Sequence, residues 1–213
     1  MLDVQVIVRA LVLAVFFILT ACDRFESAPP SLNGTFSGTA ADGRRIVVTL
    51  EQTGQAVAGR GVEGDRSFAV SAVVAWQGPA LLTFQDGSVA AGSISLRTDG
   101  SGVSIRGLRE PLNLERGGEP AAAAGGAFAG RFFGAGPPEA TVSLTQSGEL
   151  IAGTGVLDGR AVAVVGRVIG PNAAEGRLLF NDESHMQVRA ALADEGRELR
   201  LEGIGGNLVL ARR

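Results

Sequence analysis

"VTLEQTGQAVAGRGV" at 48–62 and "VSLTQSGELIAGTGV" at 142–156 are two versions of one pattern. Val48, Leu50, Gln52, Gly54, Val57, Gly59, Gly61 and Val62 each meet the same or a similar residue 94 positions later. Upstream, "GTFSG" at 34–38 has its counterpart in "GRFFG" at 130–134. Downstream, "LLTFQDG" at 81–87 matches "RLLFNDE" at 177–183, now 96 apart. At that second offset Gly100, Val103, Ile105 and Leu114 meet Gly196, Leu199, Leu201 and Leu210. Agreement this long reads as a duplication, so the chain holds two copies of one domain, at 32–116 and 127–213. The linker "GGEPAAAAGG" at 117–126 separates them.

The period inside each copy is two. "IVVTLEQ" at 46–52 puts Ile46, Val48 and Leu50 on one face, and "LRLEGI" at 199–204 puts Leu199 and Leu201 on one face with Arg200 and Glu202 opposite. Alternation of this kind marks half-buried strands. Between the runs stand Asp42-Gly43, Asp86-Gly87, Asp99-Gly100 and Asp158-Gly159. Asp-Gly suits a tight hairpin, because both central residues of a type I′ turn need positive φ. Sustained helical periodicity is missing after the N-terminal segment.

The expectation is therefore an all-β chain of two tandem antiparallel up-and-down units, about eight short strands in each. Such a sheet removes its exposed edges by closing into a barrel. An open sandwich of the same strands is the alternative. The glycines flanking Phe36 and Phe132 favour closure, since strand glycines mark the bends where a barrel turns. As a pattern of strands and glycines the mature chain resembles small avidin-like or lipocalin-like barrels. Avidin-type biotin sites use several tryptophans and a tyrosine; this chain has one tryptophan, Trp76, and no tyrosine, so the resemblance does not bring biotin binding with it.

The N-terminus carries a different message. "ALVLAVFFIL" at 10–19 is wholly apolar but short; a permanent membrane helix needs about 20 such residues. It has the length of a signal-peptide core. Leu19-Thr20-Ala21-Cys22 resembles the lipobox of bacterial lipoproteins. That resemblance implies a signal peptide at 1–21, a diacylglycerol on the Cys22 thiol and a lipidated tether at 22–31. It also implies a cell-envelope address facing the periplasm, with the membrane as a partner. Asp23 resembles an inner-membrane retention signal, which tilts the choice towards the inner membrane over the outer.

Composition narrows the rest. Cys22 is the only cysteine, so no disulfide can staple the fold. Every formally charged base is arginine, and the net charge is −3. A mildly acidic chain of this kind offers no basic face for nucleic acid.

Chemistry-bearing motifs are sparse. "GRGVEG" at 59–64 matches Gly-x-Gly-x-x-Gly but is followed by a strand pattern where a dinucleotide site needs a helix. His185 and Met186 lack the further ligands that a metal site requires. Asp86 and Asp182 are equivalent and open turns. No catalytic residue, metal site or cofactor is assigned. The candidate binding residues are Gln52 and Gln146, repeated at a strand end, Arg66 and Arg160, repeated after a turn, and Trp76, present in one copy only. The sequence thus points to a non-catalytic binding module with an envelope partner. A carrier holding a small apolar ligand inside a barrel is the second reading.

Overall fold

Ile46, Val48 and Leu50 are wholly buried along one strand, while the residues between them are half-buried or exposed. That alternation recurs through the computed structural model, which describes residues 31–74, 77–108, 110–119, 125–134, 139–203 and 206–213. The first copy forms β1 (Gly34–Thr39), β2 (Arg45–Thr53), β3 (Ala56–Glu63), β4 (Arg66–Val73), β5 (Gln77–Phe84), β6 (Val89–Leu96), β7 (Gly102–Arg106) and β8 (Leu112–Arg116). The second forms β9 (Gly130–Phe133), β10 (Ala140–Ser147), β11 (Leu150–Leu157), β12 (Arg160–Gly170), β13 (Ala173–Phe180), β14 (His185–Ala193), β15 (Glu198–Glu202) and β16 (Asn207–Arg212). A single 3₁₀ turn at Asp194–Gly196 joins β14 to β15.

Each copy is a closed antiparallel meander. Closure runs through Phe36 opposite Arg116 in the first barrel and Phe132 opposite Arg212 in the second. The open sandwich is thereby set aside. Each interior is filled by its own side chains: Phe36, Phe68, Leu82 and Ile105 are among those wholly buried in the first barrel, and Phe132, Val162, Leu178 and Leu199 among those buried in the second.

The turns differ from a uniform I′ expectation. Asp158 and Gly159 both have positive φ and join β11 to β12 directly, with Leu157 opposite Arg160. At Asp42-Gly43, Asp86-Gly87 and Asp99-Gly100 only the glycine is left-handed. There the aspartate carboxylate instead accepts the backbone N–H two residues on, from Arg44, Ser88 and Ser101. The side chain mimics a backbone turn, which lengthens the loop and frees the aspartate from positive φ.

The outward faces of β3 and β4 are not solvated. Ala58 and Ala69 cluster with Leu150, Ala152 and Val165 of the second barrel. Ala56 and Val73 cluster with Ala163 and Leu179. The same two strands of each copy meet, and the reciprocal groupings recur: Ala56 with Ala163, and Leu150 with Ala69. An interface made from equivalent patches is isologous in form, the arrangement that a two-fold axis produces in a homodimer. Taking the end of each barrel that carries the β2–β3 or β10–β11 turn as its lower end, Gly54 at the lower end of the first barrel packs beside Ala161 at the upper end of the second. Gly87, at the upper end of the first, lies against Arg167 near the lower end of the second. The barrel axes therefore run in opposite directions within one compact unit, Ser31–Arg213.

Candidate functional site

The repeated glutamines sit where each barrel receives its chain. Leu32 and Phe128, each 1% exposed, precede the first strands and plug the barrel ends. Gln52 Oε1 accepts the Leu32 N–H at 2.7 Å, and its Nε2 donates to the Gly54 carbonyl at 2.8 Å. Gln146 repeats this, accepting from Phe128 N–H at 3.0 Å and donating to Gly148 at 2.8 Å. An amide carries a donor and an acceptor on one group, so it can tie an incoming N–H to a turn carbonyl; a carboxylate could not.

Two arginines complete the clamp. Arg116 lies 4.8 Å over the Phe36 ring and donates to the carbonyls of Asn33 at 2.7 Å and Ser31 at 2.8 Å. Arg212 lies 4.9 Å over Phe132 and donates to the Ala127 carbonyl. These two were missed in the sequence, although they stand 96 apart, the offset that matches Leu114 with Leu210. They were legible as a repeat, but their partners were not.

Arg66 and Arg160 occupy the opposite end of each barrel, beside Asp86 and Asp182. The Arg66 guanidinium sits 4.7 Å over Phe84, with Asp86 at 3.9 Å. Arg160 sits 4.2 Å over Phe180, with Asp182 at 2.5 Å and Ser184 Oγ at 3.1 Å. The hydroxyl of Ser88, then its backbone N–H, holds the Asp86 carboxyl below the usual carboxylate range. Ser184 does the same for Asp182, with Arg160 adding to it. Since the barrels are antiparallel, the two arginine clusters lie at opposite ends of the molecule. They form no shared site.

The first barrel has one feature its copy lacks. Glu63 points inward at the upper end, 7% exposed, 3.3 Å from Arg44, which also binds Asp42 at 2.6 Å. Leu157 occupies the equivalent place in the second barrel. Inside the second barrel the remaining cavity is about 30 Å³, bounded by apolar side chains such as Val142, Ile151 and Leu199. The roomier spaces lie outside the barrels. One cleft of about 370 Å³ runs between them, bordered by Glu51, Gln52, Thr53, Arg131, Phe133 and Ser143. Gln146 borders a separate hollow of about 550 Å³ at the lower end of the second barrel.

No grouping of three or more His, Cys, Asp or Glu side chains suited to a metal occurs among the described residues. Trp76 lies outside those residues, as do Leu19, Thr20, Ala21, Cys22 and Asp23. The chain matches no protein-family model and no curated protein.

Proposed function

We propose that this chain is a lipid-anchored lipoprotein of the cell envelope whose tandem barrels act as a non-catalytic binding module. On this reading the Cys22 thiol carries the lipid, the barrels face the periplasm, and Asp23 favours the inner membrane. The choice of a module over a carrier rests on the packed interiors. A drug-sized ligand site spans about 300–1,000 Å³, whereas the second barrel retains about 30 Å³, room for a water or two. Leu32 and Phe128 also stopper the barrel ends and are hydrogen-bonded in place. The repeated polar residues are engaged with their own chain, which leaves the outer surfaces to make contacts.

Two measurements test the proposal. Metabolic labelling with a fatty-acid analogue should tag the parent chain and not Cys22→Ala; equal labelling of both would remove the anchor from the proposal. Native mass spectrometry of residues 23–213 with envelope extract should show a protein-sized adduct. A small apolar adduct that survives desalting would favour the carrier.

A further inference from the structure

The duplication supplies an internal comparison: two barrels of one fold whose positions along their shared interface can be read against each other. Val73 and Leu179 pack in one apolar cluster where the barrels meet. Across the pseudo-two-fold axis the counterpart of Val73 is Arg167, 94 positions later, and that of Leu179 is Thr83, 96 positions earlier. A cleft of about 160 Å³ opens there instead, between β5–β6 of the first barrel and β12–β14 of the second.

The second barrel lines this cleft with Arg167, Glu175, Arg177 and Gln187, and the first with Thr83 and Val89. Arg177 stands on β13 between Val165 and Gln187 in strand register. It is half-buried and makes no ion pair among the described residues. Arg167 lies against Gly87 of the first barrel and reaches Glu175 only at 4.0 Å, the outer limit of an ion pair. Glu175 also has Arg189 opposite it on β14, and Arg189 in turn has Glu202. Two guanidinium groups and one carboxylate thus line the cleft, and Val165 adds to its apolar wall beside Val89. The first barrel has Val73, Pro79, Leu81 and Ala91 where the second has Arg167, Glu175, Arg177 and Gln187, so the equivalent place on that side holds no guanidinium.

A guanidinium presents its N–H donors in a planar fork that matches the two oxygens of a carboxylate. Half-buried in a cleft, it attracts an anion more strongly than an arginine on open surface, because partly buried charges are screened less. We propose that this cleft binds a small organic carboxylate, its charged end on Arg177 and Arg167 and its short apolar body against Val89 and Val165. Gln187 and Thr83 add hydrogen-bonding groups that carry no charge. The apolar wall separates this ligand from an inorganic oxyanion, which has nothing to place on it. Volume sets the size. With a water's share of space at about 30 Å³, a cleft of about 160 Å³ takes a carboxylate and a few carbons. It falls short of the roughly 300 Å³ or more of a drug-sized ligand. A free short-chain acid and the last residue of a peptide share this chemistry. The site lies outside the barrels and needs neither the lipid nor the partner proposed above, so its failure would leave both standing.

The test is NMR of residues 23–213, following the side-chain N–H signals of Arg177 and Gln187 during titration. The probes are isocaproate, a free acid, and N-acetyl-leucine, which presents its carboxylate as a chain terminus does. N-acetyl-leucinamide and inorganic phosphate are the controls. At least one acid should shift both signals saturably in the millimolar range, and neither control should. Arg177→Gln should weaken that binding about tenfold or more, read at Gln187, as the loss of a charge-assisted hydrogen bond does. Val89→Glu, at an exposed position on the first barrel, should weaken it as well by repelling the carboxylate. Arg200→Gln, on β15 opposite Ala191 and outside the cleft, should leave it unchanged. All three variants should keep the far-UV circular dichroism of the parent. Tighter binding of isocaproate would indicate a free acid and tighter binding of N-acetyl-leucine a chain terminus; either supports the site. No saturable shift with either acid overturns the proposal. So does an equal response to the amide or to phosphate, or binding that is unchanged in Arg177→Gln or Val89→Glu.

Discussion

At the scale of single residues, polar side chains in this protein are spent on fastening the chain to itself. Gln52 binds both the plug residue Leu32 and its own turn at Gly54. Gln52→Leu is close in volume but leaves a buried N–H without a partner, a loss of about 1–3 kcal/mol. Urea unfolding should show it, and Gln146→Leu should cost a similar amount through Phe128. The turn aspartates make a second prediction. Hydrogen bonds from Arg44, Ser88, Ser101 and Ser184 hold Asp42, Asp86, Asp99 and Asp182 below the 3.8 of an ordinary aspartate. Their folded pKa values are depressed, so unfolding takes up protons in acid. The stability they add is fully present above the unfolded value and is lost as pH falls through the lower folded values. Carboxyl carbon shifts followed by NMR should titrate below 3.8 for these four. Replacing Ser88 by Ala should move Asp86 back towards it; an unmoved Asp86 would contradict the hydroxyl's role. The sequence exposed these aspartates as turn residues, but two left-handed residues in every Asp-Gly pair was too simple a rule, since only Asp158 joins its glycine there. An Asp-Gly pair closes either a two-residue hairpin or a longer turn, and the choice depends on strand register, which two residues do not encode.

Single strands explain the glycines that mimic a nucleotide motif. Gly59 and Gly61 face the barrel interior opposite Leu50 and Val48. A methyl group added at Gly61 would stand 2.3 Å from the Phe68 ring, with the three nearest atoms all belonging to that ring. Overpacking of this kind costs about 1–3 kcal/mol. Gly61→Ala should therefore lower the urea midpoint, and adding Phe68→Leu should restore part of the loss. If the double variant is worse than the sum of the singles, the ring is not what excludes the methyl. In the second copy the obstacle is different: a methyl group added at Gly155 would stand 2.2 Å from the Thr141 carbonyl oxygen on the neighbouring strand. Alternation identified β2 and β15 from the sequence because each has one dry face and one wet face. β3 and β4 were harder, because "AVAGRGV" and "SFAVSAVV" are small or apolar at nearly every position. Strands buried on both sides lose the period of two. That loss was itself the trace of the interface between the barrels.

For the whole molecule, the duplication produced two barrels and also the surface that joins them. Copies of one domain share the same outward face on the same strands, so small residues at Ala58 and Ala69 come with Ala152 and Ala163 for the price of one pattern. Repeat alignment alone could find that similarity, but only the three-dimensional arrangement shows the faces meeting with the barrel axes opposed. Ala163 is wholly buried there, among Ala56, Val73 and Leu179. Because it points out of its own barrel, a large charged side chain at that position burdens the contact between barrels and spares the core within each. An unpaired charge left at such a site costs about 3–5 kcal/mol. Ala163→Arg should thus open the pair while both barrels keep their strands. Small-angle scattering should report a larger radius of gyration, far-UV circular dichroism should hold, and urea unfolding should broaden into two steps. A variant as compact as the parent would mean that the interface accommodates the charge. Loss of all strand signal would mean that neither barrel stands without the other, so that the two closed sheets fold as a single cooperative unit.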